Sequence, residues 1–192
     1  MFDIAGELHQ WLTGGREFAV ATVVSVSGSA PRGPGAALAV DSDGTVIGSV
    51  SGGCVEGAVY ELCLEALADG GTRVQRFGYS DEDAFAVGLT CGGIIDIRVT
   101  PVGAHTPARE VLRAALSAVV RGEPVALARI VRGPAETLGG VLLVRPDGSY
   151  EGTSPAVPSW TGRRRPRHGP CWTADAPAPW ASPRTDRTAP AG

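Results

Sequence analysis

Three glycine-rich stretches, Gly28-Ser-Ala-Pro-Arg-Gly-Pro-Gly35, Ser51-Gly-Gly-Cys-Val-Glu56 and Cys91-Gly-Gly93, interrupt the first half of the chain. Glycine and proline at this density break helix and strand alike, so each stretch must join short elements rather than lie inside a long one. The segments between them carry clear periodicities. Ile4, Leu8, Trp11 and Leu12 make one apolar stripe, predicting a helix over 3–13. Residues 18–26 are rich in Val, Ala and Thr and predict a buried strand, and 36–40 with 45–50 predict a hairpin around Asp41-Ser-Asp-Gly44. Ser51 is a suitable N-cap for a helix carrying Val55, Val59, Leu62 and Ala66, which Asp69-Gly-Gly71 ends; Cys54 then falls in its first turn. Strands follow at 74–77 and 94–99, with a short helix at 84–89 between them, then a helix over 107–121 and strands at 125–131 and 140–144. The expected class is α/β, a mixed sheet flanked by helices, with an α+β arrangement as the alternative.

Composition narrows the function classes. The 192 residues carry a net charge of −3, with the acidic excess in residues 1–151 and a basic excess beyond. An acidic body argues against nucleic acid as the main partner, because neutralising phosphates needs a basic face. There is no lysine, so a P-loop is excluded, and no Gly-x-Gly-x-x-Gly motif occurs. No apolar run approaches the ~20 residues that span a bilayer, and the start lacks the pattern of a secretory signal, so a cytoplasmic protein without a membrane span is expected. The four cysteines should then be reduced thiols. Without Cys-x-x-Cys, and with His9, His105 and His168 scattered, a closed zinc site is not expected. Residues 152–192 combine eight prolines, three tryptophans and six arginines with no Leu, Ile, Phe or Met. They are expected to form a disordered tail, since they cannot bury enough apolar surface to offset ordering entropy. The abrupt change of composition also resembles out-of-frame translation.

The chemistry gathers at the glycine stretches. A Gly-Gly loop entering a helix offers N–H donors to an anion such as phosphate, and a helix end enriches the thiolate of a nearby cysteine. The alternative is a tight turn in which Cys54 is a small core residue. Cys91, a second thiol beside a glycine pair, favours a site, with Cys54 and Cys91 expected to converge on one pocket. Arg32 is the only charge in the first stretch and suits a phosphate or carboxylate, or else is a solvated surface residue. Glu56 either complements the helix dipole or acts as a base near Cys54. Cys63, half a turn out of phase with Cys54, is expected in the core; Cys171 belongs to the tail. Asp81, Glu82 and Asp83 read as a solvated loop.

In order and spacing, the first stretch, Gly48-Ser-Val-Ser-Gly-Gly-Cys-Val-Glu56 and Gly88-Leu-Thr-Cys-Gly-Gly93 resemble the amino-terminal domain of the XdhC/CoxI family, accessory factors of xanthine dehydrogenase and carbon monoxide dehydrogenase. The resemblance covers roughly 8–150. It implies a molybdenum cofactor chaperone that binds a molybdopterin-type cofactor, supports its sulfuration with a cysteine desulfurase, and delivers it to an apo-molybdoenzyme. It also implies cofactor-binding residues at Arg32, Gly52, Gly53, Cys54, Cys91, Gly92 and Gly93, with Cys54 and Cys91 as candidate molybdenum contacts; Ser29 and Ser51, in the same stretches, are expected to bind the cofactor with them. Longer family members continue into a Rossmann-like domain, which nothing after Gly152 resembles. The expected organisation is a cofactor-binding domain over 1–151 followed by the tail, as a natural single-domain form or a truncated product, with a homodimer left open. The rival readings are a sulfurtransferase carrying a persulfide on Cys54, and a non-functional fragment.

Overall fold

The computed structural model describes residues 1–78, 92–131, 140–153 and 160–163. A 3₁₀ turn over Phe2–Ile4 leads into α1, Ala5–Thr13; then come β1, Phe18–Ser27, β2, Ala37–Asp41, and β3, Val46–Gly48. Next are α2, Glu56–Asp69, β4, Arg73–Phe77, β5, Ile94–Val102, and α3, Ala108–Val120. The described chain closes with β6, Ala126–Arg129, β7, Val141–Val144, β8, Ser149–Thr153, and β9, Trp160–Arg163.

The strands form a five-stranded sheet in the order β3-β2-β1-β5-β4 and a four-stranded sheet in the order β6-β7-β8-β9. Every pairing among the described residues is antiparallel, so the three helices and two sheets realise the α+β arrangement. The reason lies in the connections. Adjacent strands β1, β2 and β3 are joined by short loops, which can only reverse the chain, whereas parallel neighbours need a long crossover.

Alternation along β1 sends its residues to two cores, as expected where both faces of a strand are covered. Ala19, Ala21 and Val23 join Leu38, Val40, Ile95, Ile97 and Val99 under α2, whose Val59, Cys63 and Ala66 face them. Phe18 and Val20 join Ala37, Ala39 and Val102 on the opposite face, beneath Leu8, Trp11 and Leu12 of α1 and Leu112 and Leu116 of α3. The other stripe of α3, Val111 and Ala115, packs on Val141 and Leu143 of the second sheet. Helix α3 is thus shared, and it couples the two sheets.

Two of the buried charges are satisfied locally, as desolvation requires. Asp41 accepts from Arg16 and from the backbone N–H groups of Asp43 and Thr45, 3.0 and 2.8 Å away. Arg109 donates to the carbonyls of Val102 and Arg16 at 3.1 and 2.9 Å.

The expected elements stand at 3–13, 18–26, 36–50, 74–77, 94–99, 107–121, 125–131 and 140–144, with shifted ends. Helix α2 starts at Glu56, so Cys54 lies in the loop before it, not in its first turn. Strands β8 and β9 were not anticipated. The expected tail from 152 therefore begins inside β8 and contributes Trp160–Arg163 as an edge strand. The short helix at 84–89 and the loop acids Asp81, Glu82 and Asp83 lie outside the described residues. No helix among the described residues is long and apolar enough to cross a membrane.

Two glycines give opposite, checkable expectations. Gly48 has φ +81°, and a Cβ there would lie 2.3 Å from the Ala37 carbonyl oxygen. Gly57, inside α2, has open space around it. Gly48→Ala should cost at least ~1–2 kcal/mol, while Gly57→Ala should stabilise by ~0.5–1 kcal/mol. Urea unfolding of the two variants reads both signs.

Candidate functional site

The three glycine stretches meet at one end of the five-stranded sheet, where β1 exits, β5 enters and the chain turns from β3 into α2. Their approach is backbone to backbone. A Cβ on Gly93 would fall 1.9 Å from the Ser29 carbonyl oxygen, and one on Gly28 would lie 3.5 Å from the Gly93 Cα. A Cβ on Gly52 would lie 3.8 Å from Pro31 Cβ. Side chains at 93 would hold the first and third stretches apart, so glycine is required there by contact. Gly53 and Gly92 have φ of +115° and +72°, with nothing within 4 Å of where a Cβ would sit, leaving bare main chain on the outer surface.

The loop between β3 and α2 is organised by one carboxylate. Glu56 Oε1 accepts from the Ser49 hydroxyl at 2.6 Å and from the N–H groups of Ser51 and Gly52 at 2.9 and 3.0 Å. Its Oε2 accepts from the Gly53 N–H at 2.8 Å and from the Ser51 hydroxyl. Ser51 is buried, and its hydroxyl oxygen accepts from the Val55 N–H at 3.0 Å. Converging N–H groups of this kind form an anion nest, and here the protein supplies the anion itself. Although burial opposes its charge, the Ser49 and Ser51 donors win and pull the Glu56 pKa from 4.5 to about 2.

Two expectations change as a result. The N–H groups of Ser51, Gly52 and Gly53, read as donors for a bound phosphate, are engaged by Glu56. Glu56, read as a base near Cys54, is too weakly basic to take a thiol proton and serves as the loop's anchor. The local cause also explains the late start of α2. Gly52 and Gly53 take left-handed backbone angles around the carboxylate, and helical geometry begins only after it.

Cys54 sits on this loop, half-buried and packed against the core beneath α2. Cys63 is fully buried in the same core, where desolvation pushes its thiol up to about 12; the core expectation holds. Arg32 pairs with Asp3 and lines a cleft with Gly33, Pro34 and Gly35, a cleft whose lining includes none of Gly52, Gly53, Cys54 and Gly93. Gly92 and Gly93 stand at the junction, whereas Cys91 lies outside the described residues, so the convergence of two thiols is drawn from neither sulfur's position. His9 lies on α1 and His105 between β5 and α3. Among the described residues no group of three His, Cys, Asp or Glu side chains could hold a metal ion. Sequence reasoning passed over Ser49; its signal was a hydroxyl seven residues before a lone acid.

The donor set fits a molybdenum cofactor in part. A half-buried thiol is a soft ligand of the kind molybdenum accepts, and bare glycine main chain admits a flat ring. The nest's N–H groups are already taken, so an anionic substituent would need cations elsewhere.

Residues 11–78 match the model of the XdhC and CoxI family, the family to which the order of the glycine motifs pointed. The chain is 34% identical over 116 residues to the molybdenum cofactor insertion chaperone PaoD of Escherichia coli, covering 60% of this chain and 35% of that protein. It is 36% identical over 124 residues to Escherichia coli YqeB, covering 60% and 22%. It is also 38% identical over 84 residues to a Bacillus subtilis protein named for a xanthine dehydrogenase subunit, covering 42% and 25%. The chain thus spans about a third or less of the curated relatives it matches. A crystal structure of a xanthine dehydrogenase from Bacillus halodurans shares the fold, with a TM-score of 0.59 at 24% identity over 76% of this chain and 44% of that one.

The Glu56 cradle has a pH signature. Its folded pKa lies below the unfolded value, so its contribution is complete above pH 4.5 and is lost as pH falls toward 2. Glu56→Gln should cost ~1–3 kcal/mol at pH 7 and flatten the loss of stability between those pH values. Parallel denaturation curves of variant and wild type across that window would show the cradle to be dispensable.

Proposed function

Taking the XdhC and CoxI match of residues 11–78 as the premise, we propose that this chain is a molybdenum cofactor-binding accessory protein that assists insertion of the cofactor into a xanthine dehydrogenase or carbon monoxide dehydrogenase type apo-enzyme. The observation that carries the reading is the packing of the three glycine stretches into one junction beside the half-buried Cys54. The similarity to a cofactor insertion chaperone supports it.

In this reading the junction is a binding surface and not a turnover centre. Ser29 closes the first stretch against Gly93, which holds the loops in register. Gly52, Gly53 and Gly92 expose main chain to a flat ring. Ser51 acts through Glu56, holding the loop that presents Cys54. The cofactor, when bound, supplies a thiophilic molybdenum and a dithiolene. Cys54 is proposed as the ligand to it, with Cys91 as a second thiol from the third stretch. Arg32 faces the neighbouring cleft, where it would meet an anionic group extending from the junction.

Support of sulfuration is part of the same proposal. The Cys54 thiolate would attack the terminal sulfur of a persulfide on a cysteine desulfurase, forming a new S–S bond while the desulfurase thiolate leaves. Work in the cytoplasm follows from those partners.

Anaerobic purification with metal analysis and fluorescence of the oxidised pterin tests the proposal. Molybdenum and pterin should accompany the wild-type chain and fall at least about tenfold in Cys54→Ala, the scale that even outer-shell changes reach at metal sites. Cys63→Ala, altered only in the core, should retain both. A wild-type chain that takes up no cofactor from a cofactor-rich extract would overturn the reading.

A further inference from the structure

Deeper in the cleft that Arg32 borders lie residues that the junction does not use, and they pose their own problem. On the α1/α3 face of the large sheet, paired positions of β1 and β5 run from apolar to polar. Phe18 faces Val102, Val20 faces Thr100, and Thr22 faces Arg98; after an irregularity in β1 between Val23 and Ser25, Ser25 faces Asp96. Helices α1 and α3 cover the apolar end. The polar end looks toward β6 of the second sheet, and a cleft of about 680 Å³ opens there.

Two atoms at that end lack partners. Arg98 is 3% exposed; its Nη1 donates to the Ile130 carbonyl, but its buried Nη2 has no hydrogen-bond partner among the described residues. Thr22 Oγ1, its cross-strand neighbour, is likewise buried and without one. Across the gap, Arg129 of β6 lines the same cleft. Its guanidinium makes no ion pair or hydrogen bond among the described residues, and burial together with the charge of Arg98 brings its pKa down to about 10. The nearby acids are committed elsewhere. Asp96 binds Arg76 at 2.7 Å and the Ser25 hydroxyl at 2.7 Å, and Asp3 binds Arg32 and the Met1 amino group.

Two like charges held together, one fully buried with a free donor, are costly unless a counter-anion is bound. The volume is that of a small-molecule site, and Val24, Leu127 and Val131 give it apolar walls around a few polar groups. A second void between the same arginines, about 10 Å³, has room for no more than one water.

We propose that this cleft binds a phosphorylated small molecule, its phosphate held by Arg98, Arg129 and the Thr22 hydroxyl and its organic part lying along Val24, Leu127 and Val131. The pairing of guanidinium with phosphate is the strongest hydrogen-bond chemistry available to these side chains. A doubly charged phosphate matches two cations better than a carboxylate does. The assignment stands on the cleft's own residues and does not depend on the cofactor reading.

Isothermal titration of the full chain with phenyl phosphate, inorganic phosphate and benzoate tests it. Phenyl phosphate should bind at least about tenfold more tightly than either of the others. Arg129→Gln should weaken it roughly tenfold or more, the scale of one charge-assisted hydrogen bond, while Arg113→Gln, an exposed residue paired with Glu110 on α3, should leave it unchanged. On the wild-type chain, phenyl phosphate should shield Arg129 from phenylglyoxal, read by mass spectrometry, which keeps the test independent of variant folding. Equal binding of benzoate, preference for free phosphate, or unshielded Arg129 would each overturn the proposal.

Discussion

The Glu56 carboxylate gathers the polar groups of a loop whose Val50 and Val55 are set into the core. Between β3 and α2 the chain passes through Ser49, Val50, Ser51, Gly52 and Gly53, and the backbone N–H groups of 50–53 are bonded by no strand or helix carbonyl. Left bare, each partly buried donor would cost about as much as a lost hydrogen bond. One carboxylate gathers them and takes the two serine hydroxyls as well. The position of Gly52 against the first glycine stretch, the delayed start of α2 and the presentation of Cys54 all follow from that cluster.

The arrangement also bears on how such a loop relates to ligands. Glycine-rich turns before helices are read as phosphate cradles because their N–H groups converge. Here convergence is real and the anion is internal. What the junction offers a partner is therefore shape, bare main chain and a thiol rather than positive potential. Positive potential lies instead in the inter-sheet cleft, where Arg98 and Arg129 face one another with no carboxylate between them among the described residues. A molecule with a soft-metal end and a phosphate end would find the two chemistries on separate parts of this surface, divided by the first glycine stretch.

Most of the fold was legible because its signals are local. The α1 stripe of Leu8, Trp11 and Leu12, the β1 run and the β2–β3 hairpin depend on periodicity and turn residues within a dozen positions. The strands β8 and β9 were not legible, because Ser149–Thr153 and Trp160–Arg163 carry weak patterns that become strands only when β7 offers an edge to pair with. The start of α2 was misplaced for a similar reason. Ser51 has the chemistry of an N-cap, but the choice between capping a helix and binding Glu56 is made by the carboxylate, five residues on. Asp96 and Arg98 left a trace, two charges spaced by two in an apolar strand, which places both on one face without saying what that face meets.

The amino-acid sequence by itself determined most of the elements, the glycine stretches that must be loops and the core thiol of Cys63, and it carried the motifs that resemble the XdhC and CoxI family. These are short-range matters of periodicity, backbone freedom and motif order. Tertiary structure alone decided that Gly93 lies on Ser29, that Glu56 fills its own loop, that Arg32 turns to Asp3, and that Arg98 and Arg129 share a cleft. Each of those outcomes joins residues whose separation in the chain carries no pattern, and each is chosen by which buried polar group finds a partner once the sheets and helices have packed.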